Sequence, residues 1–202
     1  SDRAAFAAAV EQAGRSWDLV VDVVGYKQGD AEQDVSVFQG RAKRFVFIST
    51  DFVADPARRT FPQREDNPHF ATGAYGGDKR LCEEVFLGQR GDQPTRDAAA
   101  KLAWTIIRPC HIYGSGSQLG CLPEHGRDVE LIARLKRGDS LRLVGGGHFL
   151  QQPILAADLA ELVLSCAKKD RAIHQLYQAA GPDIVESRQY YQIIADILGV
   201  PC

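Results

Sequence analysis

Residues 44–50 read RFVFIST, and this stretch decides the fold class. Consecutive apolar residues bounded by polar ones are typical of a strand that is buried on both faces, as strands of parallel sheets are. WDLVVDVV (17–24) and AWTIIRP (103–109) repeat the pattern earlier and later in the chain. The three segments therefore predict three buried strands.

Helical patterns alternate with these strands. Helices are predicted at 2–14, 29–39, 73–90, 128–138, within PILAADLAELVLSCAKK (153–169) after a short strand, and at SRQYYQIIADILG (187–199), which opens on a capping Ser187. A short strand that runs into a glycine loop is predicted at LRLVGGG (141–147), and a further strand at QLYQAAG (175–181). Loops are predicted at 51–72, GDQPTRD (91–97) and 110–126. The alternation predicts an α/β protein with a parallel sheet and right-handed crossovers.

The composition excludes several classes of protein. The chain has 202 residues, 45% hydrophobic content and a net charge of −2, without a long basic block or a membrane-length apolar run. This argues against a dedicated nucleic-acid or membrane protein. The five cysteines form no C-x-x-C pair, which favours reduced thiols, a cytoplasmic location and no metal site. The absence of methionine leads us to expect a processed protein or a piece of a longer one.

AYGGDKR (74–80) holds the candidate chemistry, because Tyr75 and Lys79 lie four residues apart. The spacing alone decides nothing: with six tyrosines and seven lysines, chance places one such pair in roughly a fifth of comparable chains. Its position is more informative. Ligands of parallel sheets bind beyond the carboxyl ends of the strands, where VVGY (23–26), STDF (49–52) and RPCHIYG (108–114) are also expected.

The ordered set of motifs resembles the extended short-chain dehydrogenase/reductases, the NAD(P)-dependent epimerase/dehydratase group. The matching segments cover almost the whole chain: VVDVVGY, FVFIST, AYGGDKR, IIRPCHIYGSG, PILAADLAELV and YQAAGPDIVESRQYYQIIADILG. The resemblance implies part of a doubly wound, Rossmann-type parallel sheet with a small C-terminal substrate-binding subdomain. Residues 1–112 would be the C-terminal portion of the NAD(P)-binding domain, and residues 113–202 the substrate-binding region, interleaved with the last sheet elements.

The resemblance also implies catalytic roles. Tyr75 would exchange a proton with a substrate hydroxyl or carbonyl; a free tyrosine has a pKa of ~10, and the positive charge of Lys79 one helical turn on would favour the phenolate. Lys79 would also hydrogen-bond the nicotinamide ribose. Thr50, or else Ser49, would hold the substrate oxygen, although either hydroxyl could simply cap the strand end. Asp51 would be a general acid.

The cofactor implied by the resemblance is NAD or NADP, and the substrate is a small molecule. Besides Lys79, the cofactor contacts would be Val23, Val24, Gly25, Pro109, Cys110 and His111. The substrate contacts would be Phe52, His111, Tyr113 and Gln151. Simpler structural roles stay open, with Tyr113 as a core aromatic, Cys110 as an inert thiol and His111 as a pocket-lining residue.

Three departures from the family pattern matter. The glycine-rich dinucleotide fingerprint has no counterpart here, since GSGSQLG (114–120) is not followed by a helix, so we expect a glycine-rich strand–turn–helix directly upstream. Phe52 stands where a 4,6-dehydratase carries a carboxylate base, which disfavours that reaction. Gln151 and Gln152 stand where sugar-nucleotide enzymes carry an Arg-Asp pair, and an amide does not replace a charged bidentate contact to a diphosphate.

The resulting expectation is an NAD(P)-dependent oxidoreductase or epimerase-type enzyme that acts on a hydroxyl or carbonyl of a sugar or related small molecule. By resemblance it would form a homodimer through the helix from Gly73. Two alternatives remain. The glutamine-bearing pattern is similar to the branch that includes the chloroplast stem-loop RNA-binding proteins, so the fold could serve RNA binding or regulation. The chain could also be a pseudoenzyme that acts as a partner subunit.

Overall fold

A four-stranded parallel sheet organises the first part of the chain, in the computed structural model, which describes residues 3–14, 16–89, 101–121 and 126–201. In chain order the helices and strands are α1 (Arg3–Ala13), β1 (Val20–Asp22), α2 (Gln28–Phe38), β2 (Phe45–Ile48), α3 (Ala74–Leu87), β3 (Trp104–Pro109), β4 (Ile112–Tyr113), α4 (Leu131–Arg137), β5 (Leu150–Gln151), β6 (Ile154–Leu155), α5 (Ala156–Ala167), β7 (Gln175–Ala179), β8 (Val185–Glu186) and α6 (Ser187–Leu198). The sheet order is β1-β2-β3-β7, and every pairing is parallel.

The chain divides into two compact units. The first unit comprises Ser1–Pro109 and Ala160–Ala179, and the second comprises Cys110–Leu159 and Ala180–Cys202. The parallel sheet and its main aromatic core belong to the first unit. The second unit contains two small two-stranded sheets, β4–β6 and β5–β8, and a separate core that includes Leu131, Leu135 and Tyr191.

Aromatic packing fixes the first unit. The ring of Phe86 on α3 lies 5.0 Å from that of Phe47 and 5.5 Å from that of Phe45, centroid to centroid, and 6.5 Å from Trp104 on β3. Such pairs add about 0.5–1.5 kcal/mol each beyond their buried area. Because Phe45 and Phe47 lie two residues apart, their side chains are on the same face of β2. This face packs against Phe86 and so holds α3 against the sheet.

Most predicted elements are confirmed with shifts of a few residues at their ends. The strands at RFVFIST, AWTIIRP and QLYQAAG are β2, β3 and β7, and the predicted helices correspond to α1 to α6. α4 and α6 end at Gly138 and Gly199, which both adopt the left-handed conformation that favours glycine at this position. The predicted loop at 91–97 lies outside the described residues.

The first predicted strand is shorter and less buried than expected. Only Val20–Asp22 forms β1, and Val21, Val23 and Val24 are exposed. β1 is the edge strand of the described sheet. After it, the chain turns because Oδ1 of Asp22 accepts hydrogen bonds from the backbone N–H groups of Val24 and Gly25.

Two further predictions were wrong. The short strand predicted before the glycines of LRLVGGG is absent, since residues 141–143 form no strand and Val144–Gly147 is a short 3-10 turn. Gly145, Gly146 and Gly147 have φ of 58°, 65° and 83°, which agrees with the predicted glycine loop. Ser187 is the first residue of α6 and not its cap, since its hydroxyl donates to the carbonyl of Phe149. The long loop at 51–72 contains two short 3-10 helices, Asp51–Val53 and Pro56–Arg58.

No helix within the described ranges is long and apolar enough to cross a bilayer.

Candidate functional site

The carboxyl end of β2 carries two hydroxyl residues with different partners. Ser49 is buried, and its Oγ donates to Oε1 of Glu83 at 2.6 Å. Thr50 is also buried, and its Oγ1 accepts the backbone N–H of Phe52 at 3.2 Å, so it caps the 3-10 turn that follows. The capping role that sequence analysis left open is therefore present at Thr50. Holding a substrate oxygen remains a prediction for both hydroxyls.

A close backbone approach places the start of α3 beside this turn. A Cβ added to Gly76 would lie 2.0 Å from the carbonyl oxygen of Phe52, so only glycine fits this position. The neighbouring Gly77 packs against the backbone of Thr72. The two glycines of AYGGDKR thus have a packing reason, which is to bring the helix that carries Tyr75 and Lys79 against the end of β2.

Lys79 is buried between two backbone carbonyls. Its side chain is 1% exposed, and Nζ donates to the carbonyl oxygens of Gly25 and Ile48, each at 2.7 Å. Nζ also lies 4.2 Å from the ring centroid of Phe47, a cation–π contact. Burial lowers the pKa of Lys79, while the charge of Asp22 opposes that shift. An ammonium has three donors, so one N–H remains beyond these two carbonyls.

Tyr75 lies on the surface between two other exposed rings. Its side chain is 45% exposed, and its ring centroid lies 6.1 Å from that of Tyr26 and 6.3 Å from that of Phe52. Nζ of Lys79 lies 5.4 Å from the ring centroid of Tyr26, so the rings and the ammonium form one cluster. Sequence analysis missed Tyr26, although its place directly after VVG at a strand end is a signal that could have identified it.

The turn after β1 is held from both sides. Asp22 accepts the N–H groups of Val24 and Gly25 at 2.8 Å each, and Lys79 donates to the carbonyl of Gly25. Val23 and Val24 are exposed, whereas Gly25 is buried. Of the three residues predicted to line a cofactor, Gly25 is therefore bonded to the same lysine that was predicted to bind the ribose. The role of Asp22 was not foreseen.

Asp51 is engaged in an ion pair. Oδ2 of Asp51 lies 3.2 Å from Nη1 of Arg59, and both side chains are largely buried. Nη2 of Arg59 also donates to the backbone carbonyl of Asp51, and the guanidinium lies 5.4 Å from the ring centroid of Phe52. The carboxylate that was predicted to act as a general acid is thus paired with the guanidinium of Arg59. Arg59 was not singled out from the sequence.

The remaining predicted residues lie at or beyond the end of β3. Pro109 is buried as the last residue of β3, in the first unit. In the second unit, Cys110 and His111 are partly buried, and Tyr113 lies in β4 opposite Leu155. Burial and nearby Arg127 lower the pKa of His111, and no described residue hydrogen-bonds its buried Nε2.

Both glutamines that replace the expected Arg-Asp pair serve the second unit itself. Gln151 is buried, and its Nε2 lies 3.2 Å from Oγ of Ser187. Nε2 of Gln152 donates to the carbonyl of Gly181 at 2.8 Å. These bonds join β5 and the chain after it to the start of α6 and to the segment after β7. A substrate contact at Gln151 remains a prediction.

The donor set of the first unit fits one half of a dinucleotide. The remaining N–H of Lys79 suits a ribose hydroxyl, and the exposed rings of Tyr26 and Tyr75 suit a planar ring. In the described part of the chain, no strand–glycine turn–helix offers backbone N–H groups to a pyrophosphate, since Gly114 is followed by a turn in which Ser117 bonds back to it. These groups fit a ribose and a planar ring, and contact with the nicotinamide end remains a prediction.

Two other kinds of site find no support in the described residues. No three histidine, cysteine, aspartate or glutamate side chains come together there as metal ligands. No disulfide joins the four cysteines that the structure describes, of which Cys82, Cys121 and Cys166 are buried. Burial raises the pKa of Cys82 to about 11, which keeps that thiol protonated.

Comparison with solved structures supports the fold. An epimerase from Methanothermobacter thermautotrophicus, Mth375, superposes with a TM-score of 0.76 at 13% identity, over 100% of this chain and 62% of that one. A UDP-N-acetylglucosamine 4-epimerase from Methanobrevibacter ruminantium gives a TM-score of 0.72 at 15% identity, over 94% and 63%. MoeE5 in complex with UDP-glucose and NAD gives 0.64 at 20% identity, over 86% and 53%. The parallel sheet is thus a Rossmann-type sheet.

Two curated proteins are similar in sequence. The NADH dehydrogenase [ubiquinone] 1 alpha subcomplex subunit 9 of Arabidopsis thaliana, a mitochondrial protein, is 25% identical over 158 residues, which are 69% of this chain and 37% of that protein. The spore coat polysaccharide biosynthesis protein SpsK of Bacillus subtilis (strain 168) is 33% identical over 122 residues, which are 60% and 35%. The chain thus spans about a third of the length of each curated relative.

A family profile covers most of the chain. The profile described as "NAD dependent epimerase/dehydratase family" matches residues 33–180, from α2 through the end of β7. The matched range contains FVFIST, AYGGDKR, IIRPCHIYGSG and PILAADLAELV, four of the segments on which the family resemblance was based. The chain belongs to the NAD dependent epimerase/dehydratase family.

Proposed function

We propose that the intact protein binds NAD at the end of β2 and acts on a hydroxyl or carbonyl carbon of a sugar or related small molecule. NAD, when bound, supplies the hydride acceptor or donor for that carbon. The observation that carries the proposal is the buried ammonium of Lys79, which is tied to the carbonyls of Gly25 and Ile48 next to the exposed ring of Tyr75.

Tyr75 takes or returns the proton at the substrate oxygen. Its ring reaches solvent between Tyr26 and Phe52, where a small molecule has access to it. The positive charge of Lys79, on the same face of α3, stabilises the phenolate that the proton transfer creates. The hydroxyl of Thr50, at the end of β2, orients the oxygen that reacts.

Lys79 has a second role in the proposal. Because two of its three donors are used by backbone carbonyls, the ammonium has a fixed position, and its remaining N–H binds a ribose hydroxyl of NAD. The exposed side chains of Val23 and Val24 contribute apolar surface to the cofactor. Pro109, Cys110 and His111 stay predicted cofactor contacts.

The substrate class follows from Phe52 and the glutamines. Phe52 is an exposed ring beside Tyr75, so no carboxylate base stands at that position for elimination, and we propose a redox or epimerisation reaction over 4,6-dehydration. Similar solved structures are complexes with UDP-glucose and with UDP-N-acetylmuramic acid. Since Gln151 and Gln152 are bonded within the second unit, a sugar without a diphosphate is an equally suitable substrate.

A titration of NADH fluorescence with the intact protein tests the proposal. Lys79→Met should abolish the signal of binding, whereas Lys43→Met, which removes an exposed lysine paired with Asp18, should leave it unchanged. Circular dichroism of each variant checks the fold. RNA gel shifts run on the same samples test the RNA-binding alternative. Absence of NADH binding in the wild type, or equal binding by both variants, contradicts the proposal.

A second function has one specific observation in its favour. The similarity to a subunit of a mitochondrial NADH dehydrogenase favours a partner-subunit role for the same fold. In that role the intact protein retains NAD binding but has no turnover of its own. Assays of NADH oxidation with sugar and carbonyl substrates, run alongside the titration, separate the two functions.

A further inference from the structure

Two buried carboxyl groups lie together beneath the turn that follows β1. Asp22, the last residue of β1, is 9% exposed, and Asp34 on α2 is 7% exposed. Oδ2 of each is buried and receives no hydrogen bond from an N–H or O–H group of any described residue, and the charge of Asp22 acts on the Asp34 carboxyl. Ionised carboxylates only accept hydrogen bonds. A hydrogen bond between the two carboxyls therefore requires a proton that one of them donates to the other.

The surroundings determine which carboxyl keeps that proton. Oδ1 of Asp22 accepts two backbone N–H groups at 2.8 Å each, whereas Oδ2 is left without such a donor. Burial and the charge of Asp22, with a smaller effect of Asp30, raise the pKa of Asp34 to about 8, against an opposing effect of Lys79 on α3. Cys82, also on α3, is neutral over this range because burial raises its pKa to about 11. Asp34 therefore holds the proton at neutral pH.

The pair supports the two groups on which the proposed reaction depends. Asp22 binds the N–H of Gly25, and Lys79 binds the carbonyl of the same residue. The turn leaves no space to adjust, since a Cβ at Gly25 would lie 2.2 Å from Oδ2 of Asp22. Gly25 thus links the Asp22 carboxylate, which accepts its N–H, to the ammonium of Lys79, which donates to its carbonyl.

We propose that Asp34 is a positioning residue of this enzyme, which donates its proton to Asp22 and so holds the Val23–Gly25 turn and Lys79 in their binding geometry. The proposal rests on the proposed function for its catalytic consequence, but the proton-sharing pair itself is a property of the folded protein that requires no cofactor. It assigns to α2 a part in the site that lies outside the family motifs quoted above.

The pH dependence has a definite sign. The pKa of Asp34 in the folded protein lies above its unfolded value of 3.8, so the folded state binds the extra proton between those two values. Stability from this group is then greatest below the unfolded pKa, falls as pH rises, and levels off above about 8. Above that pH a second negative charge faces Asp22, and the turn loses the hydrogen bond that holds it.

The substitution Asp34→Asn tests the pair, because an amide N–H can donate to Asp22 at every pH. We expect the ratio of the unfolding constants of wild type and variant to rise by up to about tenfold per pH unit between pH 5 and pH 8, then to level off. Glu32→Gln, an exposed position on the same helix, is the matched control and should show no such rise. Urea unfolding monitored by circular dichroism gives the constants.

Two further readouts make the result decisive. The NMR signal of the side-chain carboxyl carbon of Asp34 should titrate with a midpoint near pH 8. The NADH affinity of the intact wild type should weaken above that pH, whereas the NADH affinity of Asp34→Asn should not. The proposal is overturned by any of three results: a ratio of unfolding constants that does not change with pH, an NMR midpoint of Asp34 near the ordinary value of an aspartate, or an Asp34→Asn variant that does not fold at neutral pH. If NADH does not bind at all, the unfolding and NMR results still test the pair, so that its failure and that of the proposed function are distinguishable.

Discussion

Removing the carboxylate of Glu83 should destabilise the first unit more than any exposed charge change on α3. Glu83 is fully buried and accepts two hydrogen bonds from the guanidinium of Arg108, at 2.8 and 2.7 Å, in addition to the hydroxyl of Ser49 at 2.6 Å. Arg108 is itself 2% exposed. Glu83→Ala would leave this guanidinium buried without its carboxylate. Loss of one partner of a buried pair costs about 3–5 kcal/mol.

The neighbouring Glu84 provides a matched control on the same helix. Its carboxylate lies 3.3 Å from Nε of Arg80, but the side chain is 53% exposed, and such i, i+4 pairs contribute about 0.3–0.5 kcal/mol. With a urea m-value of about 2–3 kcal/mol/M, Glu83→Ala should lower the unfolding midpoint by about 1–2 M, and Glu84→Ala by less than about 0.3 M.

The midpoints are measured by urea unfolding with circular dichroism. Glu83→Gln, which keeps one acceptor oxygen but replaces the other with an NH2 donor, should fall between the two alanine variants. The double variant Glu83→Ala/Arg108→Ala should lose less than the sum of the single losses, since each single change leaves a buried group unpaired. Equal midpoints for Glu83→Ala and Glu84→Ala would refute the structural role assigned to the pair.

Two other substitutions test packing in the two units. Gly76→Ala should lower kcat and should lower the free energy of unfolding by about 1–3 kcal/mol, because its Cβ would lie 2.0 Å from the carbonyl oxygen of Phe52. Activity assays and thermal unfolding measure the two effects. Wild-type kcat and stability in this variant would contradict the close approach. Tyr191→Phe should destabilise the second unit by about 1–3 kcal/mol, because its hydroxyl accepts the buried N–H of Cys121 at 2.8 Å; an unchanged unfolding midpoint would oppose this.

The sheet could be predicted from the sequence because the strands with continuous apolar sequence are also the strands that the fold buries. β2 is apolar along its length, and the structure buries Phe45, Val46 and Phe47 in the middle of the sheet. The family was also predictable, since STDF and AYGGDKR occur in order at strand ends. The same apolar pattern failed at residues 17–24, because the sequence does not tell an edge strand from a central one.

The contacts of the candidate site were less predictable than its location. Asp34 and Arg59 lie in no quoted motif, and Tyr26 lies in VVGY without having been singled out. Each acquires its role through a contact: Tyr26 with Tyr75, Asp34 with Asp22, and Arg59 with Asp51. The glycine loop in LRLVGGG was predictable, and its three glycines have positive φ angles, but the short strand expected before it does not form. Spacing along the chain carries no information about such partners.

The central claim is that Tyr75 transfers the proton at the substrate oxygen, and kinetics of Tyr75→Phe in the intact protein test it most directly. Phenylalanine retains the ring contacts with Tyr26 and Phe52 but has no hydroxyl. The account predicts a fall in kcat of about 10²–10⁴-fold, with the Kd for NADH within about twofold of wild type. A variant with wild-type kcat would contradict it.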